Sequence, residues 1–132
     1  MAAGYLVSAT ELIHASTFAD FLEMAEHLVG EGYKDAAAVI AGNSLEAHLR
    51  NLCAKNAVPA DSPPGSGRPK RADAMNGDLG GAGAYGKLDQ KSVTSWLDLR
   101  NKAAHGRYAE YTQPQAELLI AGIRDFITRN PA

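Results

Sequence analysis

The sequence predicts an all-α fold, an antiparallel bundle of four main helices with one short extra helix. Apolar residues recur at spacings of three and four over long stretches, which places them on one face of a helix. Helix-start signals precede two of these stretches: Ser8 with Glu11 forms a capping-box pair, and Pro114 follows Thr112 at a first-turn position. No strand-like alternation and no hairpin signal occurs. A chain of 132 residues fits one domain, 1–132, with a modest core.

Beyond the Ser8–Glu11 box, Leu12, Ile13, Phe18, Phe21, Leu22, Ala25, Leu28 and Val29 form one apolar stripe, ended by Gly30 and Gly32. The second helix starts near Tyr33 or Asp35 and runs to about Asn56. Its first half, Ala36 to Gly42, carries so little side-chain bulk that another helix can approach closely, in the bundle core or at a dimer seam. Between residues 57 and 86 lie four prolines and seven glycines, and the run Pro59 to Gly67 reads as a flexible loop, spanning about 57–67, without packing potential. Lys70 to Leu79 has Ala72, Met75 and Leu79 on one side, but Gly77, Gly80, Gly81 and Gly83 oppose a helix, so 68–82 stays open. The next helix runs from about Leu88 to His105, capped by Asp89 or Ser92, with Val93, Trp96, Leu97 and Leu99 to Ala103 as its buried side. A connector, Gly106 to Gln113, leads to a last helix whose Leu118, Leu119, Ile123, Phe126 and Ile127 face inward.

Composition narrows the function classes. The net charge is −2, and no basic excess marks a general nucleic-acid binder, so any contact with a phosphate backbone must be local. The lone Cys53 falls in an apolar helical pattern and reads as a buried thiol, in keeping with a reducing compartment. Met1 to Val7 has neither the basic start nor the apolar run of a secretion signal, and no stretch of about 18 apolar residues occurs, so a cytoplasmic protein without a membrane span is expected. His14 and His27 are isolated, His48 joins no cluster, and no Cys, His or carboxylate group has metal-ligand spacing.

The chemistry-bearing stretch is Ser95 to Gly106, the closing turns of a helix that end on Arg100, Asn101 and His105, with Gly106 suited to a left-handed cap. Asn101 and His105 are one turn apart on one face. Arg100 lies about 140° round from His105, within swing of a long side chain. An imidazole passes protons near neutrality, and a guanidinium holds a phosphate with two parallel hydrogen bonds. A plain reading stands beside this one: His105 caps the last carbonyls and Arg100 pairs with Asp98 or a neighbouring helix. Around the motif, Lys102, Arg107, Tyr108 and Tyr111 are candidates for RNA contact, the tyrosines by stacking on a base or else by packing on the bundle end. Arg68, Lys70 and Arg71 form the one compact basic cluster, able to draw RNA toward the motif if the segment folds back there, and otherwise solvated. Glu46 and Arg50 are one turn apart and can pair.

Leu99-Arg100-Asn101-Lys102-Ala103-Ala104-His105-Gly106, followed by Tyr108 and Glu110-Tyr111-Thr112, resembles the signature of HEPN domains, an arginine, a polar residue, and a histidine after a gap of four to six residues. Ala36 to Arg50 resembles the long second helix of that family, with Leu45-Glu46 ahead of Leu49-Arg50. The resemblance implies a small helical bundle that works as a homodimer, joining two motif copies across one cleft. It implies a metal-independent endoribonuclease, without cofactor, in a toxin–antitoxin, phage-defence or RNA-processing setting, with a nucleotidyltransferase-like antitoxin as a possible cognate partner. Other members are partner-binding modules without cutting activity, which leaves a non-catalytic helical scaffold for a protein or nucleotide as the alternative. In the family the Leu45-Glu46 position is structural, placed to meet the motif helix. A dimer further implies more apolar area on the second and motif helices than one bundle covers.

Overall fold

A computed structural model describes residues 8–132, and the reading of Met1 to Val7 lies outside them. The described residues are all-helical: α1 (Ala9–Gly30), α2 (Lys34–Lys55), α3 (Ala72–Gly81), α4 (Lys87–Ala104) and α5 (Gln113–Arg129), with a 3₁₀ turn at Tyr108–Glu110. None of these helices is long and apolar enough to cross a membrane.

α2 is the element the others pack on, touching α1, α3, α4 and α5. The reason is in its side chains. Ala37, Ala38, Ala41, Gly42 and Ser44 are small enough for close approach, while Leu45, Leu49, Leu52 and Cys53 fill the core beyond. α5 brings Leu119, Ile120, Ile123, Phe126 and Ile127, and α4 brings Val93 and Leu97. Gly122 on α5 admits the Trp96 indole, which a Cβ there would strike.

The predicted capping box of Ser8 with Glu11 forms on α1, and Thr112 caps α5 with Pro114 in the first turn, as expected; Gln115 completes a second box there. Gly106 takes the left-handed conformation, φ 75°, just past α4. The start of α4 differs from expectation. The helix begins at Lys87 with Gly86, which has no side chain to bond, as its cap, so Asp89 falls inside the first turn, where it accepts from Arg129 on α5 at 2.8 and 3.0 Å.

Two apolar assignments need correcting. On α1, only Phe18, Leu22, Ala25 and Val29 are buried; Leu12, Ile13 and Phe21 are exposed, Ile13 at 66 %. The predicted stripe merges two faces, of which only one meets α2 and α5. Leu118, expected inward, is 71 % exposed, since Leu119 and Ile120 already take the α5 positions facing α2. The exposed large apolar residues therefore concentrate on α1, not on α2 and α4 as a dimer seam there requires.

The 57–67 segment is more ordered in its bonding than its composition suggests. Ser62 N–H donates to the Arg68 carbonyl at 3.0 Å and Lys70 N–H to the Ala60 carbonyl at 2.9 Å, closing a turn with one antiparallel bridge, Asp61 to Pro69. Val58 and Ala60 pack on the core. α3 forms despite its glycines because tertiary contacts hold it. Met75 and Leu79 are buried, and the Asn76 amide donates at 3.0 Å to the Gln90 carbonyl and Thr94 Oγ1 while accepting from the Tyr85 hydroxyl at 2.6 Å. Gly80 leaves the space where the Gln90 amide lies.

Candidate active site

The last turns of α4 lie over α2 at Gly42. The stem of Arg100 runs across that glycine so closely that any Cβ there would collide with its Cγ. Its guanidinium is then held from three sides: Nη1 donates to Asn43 Oδ1 at 2.8 Å, Nη2 to Glu46 Oε1 at 3.1 Å, and Nε to Asn101 Oδ1 at 3.0 Å. Its side chain is only 12 % exposed. A guanidinium has five N–H donors, so two stay uncommitted by these bonds.

The network continues past Glu46. Its other oxygen accepts from Arg50 Nη2 at 3.3 Å, and Arg50 also donates to the Lys70 carbonyl at 2.9 Å. One carboxylate thus ties two guanidinium groups and the 60–70 turn beside a cleft of about 480 Å³. Arg50, Arg71 and Arg100 line this cleft with Glu46, Asp73 and Asp98.

The structure sorts the expected residues. Arg100 and Asn101 stand together at the cleft, Asn101 as a prop for Arg100. His105 is the cap residue of α4; its backbone N–H donates to the Asn101 carbonyl at 3.0 Å. Its ring is exposed, hydrogen-bonds to no described residue and does not line the cleft. Lys102 pairs with Asp98 at 3.3 Å, one turn back on α4. Arg107 is exposed near Glu110, and Tyr108 is 51 % exposed, its position set by Lys34, which bonds its carbonyl.

Tyr111 is not a surface stacker. It is buried, its hydroxyl donates to Asp35, and Lys34 Nζ sits 3.7 Å from the ring centroid. Burial, with Asp35 beside it, pushes the phenol pKa well above its ordinary value. Lys70 is likewise withdrawn from RNA contact, since it is buried and its Nζ pairs with Asp78 on α3 at 2.6 Å. Of the basic cluster only Arg71 is an exposed side chain at the cleft; Arg68 is exposed but outside the lining.

The residue that sequence reasoning passed over is Asn43. Its signal was its place three residues before Glu46, on the same face of α2. Glu46 meets the motif helix through Arg100. Among the other histidines, His14 meets Asn51 of α2 at 3.1 Å, and His27 is exposed. Among the described residues no group of three His, Cys, Asp or Glu side chains comes together in a way suited to a metal ion. Comparison of the chain with protein-family models, with curated proteins and with solved structures gave no match. Fold and site alone define the class, an all-helical protein with an arginine-centred polar cleft and an exposed histidine at its edge helix.

Proposed function

We propose that the protein is a metal-independent endoribonuclease of HEPN type, acting in the cytoplasm as a homodimer. In this reading α1, α2, α4 and α5 form an antiparallel four-helix bundle with α3 as a short addition. The observation that carries it is Arg100, a guanidinium fixed by Asn43, Glu46 and Asn101 beside a polar cleft, with the unpaired imidazole of His105 at the end of the same helix.

The chemistry follows from those groups. A base removes the proton of a ribose 2′-hydroxyl, the oxygen attacks the adjacent phosphorus, and an acid protonates the departing 5′-oxygen, leaving a cyclic phosphate and a free 5′-hydroxyl. One His105 from each subunit supplies base and acid. The two uncommitted donors of Arg100 stabilise charge building on the phosphoryl oxygens, and its fixed position removes the cost of ordering it during reaction. In this reading the exposed Arg71, Arg107 and Tyr108 hold the strand.

Purified protein should degrade a mixed RNA pool in excess chelator. His105→Ala should lower the rate by about 10²- to 10⁴-fold and Arg100→Ala by about 10²- to 10³-fold, with helicity unchanged by circular dichroism. Equal activity in both folded variants would assign the cleavage elsewhere. A second reading, a non-catalytic scaffold, is favoured by the low exposure of Arg100 and its bond to Glu46, which are those of a helix–helix clasp. In that case neither wild type nor variants cut RNA, and Arg100→Ala lowers stability alone.

A further inference from the structure

On the outer side of α1 and α2 lies a face without charge. Ile13, Thr17, Phe21, Met24 and Leu28 recur at spacings of three and four along α1, and Ala36, Ile40, Asn43 and Ala47 do the same along α2. All are exposed or half-buried, Met24 at 51 % and Phe21 at 44 %. None is charged, although 21 % of the chain is. Where the two helices meet, Phe21, Ile40, Asn43 and Ala47 border a groove of about 240 Å³.

Little on this face resists burial. The hydroxyls of Thr17 and Ser44 donate to the carbonyls of Ile13 and Ile40, each at 3.0 Å, and Asn43 Oδ1 accepts from Arg100 at 2.8 Å. Hydroxyls already bonded within their own helices lose little when water leaves. A face without cations does not hold a phosphate backbone, so RNA is not its occupant.

Shape and position choose the occupant. Phe21 and Met24 form a ridge beside the low surface of Ala36, Asn43 and Ala47, so the face fits itself under a two-fold rotation, the ridge of one copy entering the groove of the other. Asn43 lines the groove and also bonds Arg100, so whatever covers the groove abuts the candidate site. The face is about 25 Å long and two helices, about 20 Å, wide, which gives roughly 500 Å² per copy and 1,000 Å² per pair, the lower limit of a specific interface.

We infer that this face is the seam of a homodimer, joining two copies across their α1–α2 grooves and setting their two Arg100 sites beside one another. The choice of a second copy rests on the proposed chemistry, in which two His105 side chains serve one reaction.

Sedimentation of the full chain should show a dimer. Phe21→Glu and, separately, Ala47→Arg should each raise its dissociation constant about 100-fold or more, since two-fold symmetry buries every such charge twice. Both positions are exposed, so helicity should hold, and either variant serves if the other does not fold. Leu118→Glu, on α5 and outside the face, should leave the dimer intact. Dissociation in each folded variant supports the seam even where no RNA is cut, and then the nuclease reading alone falls. A wild type still monomeric at about 100 µM, or a folded charge variant as dimeric as wild type, would overturn the seam even where RNA is cut. A monomeric wild type that binds neutral lipid vesicles would give the face to a membrane and overturn it equally.

Discussion

Single side chains carry most of the site's logic, and Gly42 is the most exacting of them. With Arg100 passing directly over it, Gly42→Ala forces either the stem of Arg100 or α4 to move. Overpacking of this kind costs about 1–3 kcal/mol, so urea unfolding should shift to lower denaturant, and RNA cleavage should fall because the guanidinium leaves its three partners. His48 gives a pH signature. Its ordinary pKa is 6.5 and the folded value is about 4, so on acidification through that window the unfolded chain takes up a proton the folded chain refuses. Stability is therefore lost as pH falls from about 6.5 to about 4, by up to roughly 3 kcal/mol from this ring. Denaturant melts at successive pH values should show that loss in wild type and a smaller one in His48→Gln. Glu11 and Asp89 are held below their ordinary values by Lys55 and Arg129, so their contributions are lost in a lower window that opens in the usual carboxylate range and extends below it. Arg100, Asn101 and His105 were visible as a spacing, but who would hold Arg100 was not, because Asn43 is 57 residues away in the chain.

Among the helices, α3 separates what local sequence says from what packing decides. Its glycines argue against it, and a ten-residue helix of this kind has little stability of its own. It persists through Asn76, which joins Tyr85, Gln90 and Thr94 in one buried set of bonds. Asn76→Ala leaves the Tyr85 hydroxyl without its acceptor and should cost about 1–3 kcal/mol in global unfolding, with the earliest hydrogen exchange in 72–81. The caps of α1 and α5 were legible because they depend on residues three apart. Which face of α1 is buried was not, since Ile13 and Phe21 are as apolar as Phe18 and Leu22, and only the positions of α2 and α5 choose between them. The basic cluster shows the same limit: Lys70 and Arg71 are adjacent, yet one is drawn inward by Asp78 and the other stays at the cleft.

Taken together, the chain builds a helical frame around α2, and α2 supplies on one side the bed for Arg100 and on another the buried ring of His48. The all-helical class followed directly from periodicity, because each long helix buries a face that repeats at 3.6 residues. The proposed function rests on the resemblance of 99–112 and 36–50 to HEPN domains, and the bonds from Asn43 and Glu46 to Arg100 join those two stretches in space. The central claim is that a ribose 2′-hydroxyl is the nucleophile and that the protein's own side chains, not a metal, drive its attack. The most direct measurement compares cleavage of an RNA pool with cleavage of the same sequences fully 2′-O-methylated, in excess chelator. Cutting of the ribose substrate alone, with cyclic-phosphate ends, is expected; equal cutting of both, or of neither, would contradict this mechanism.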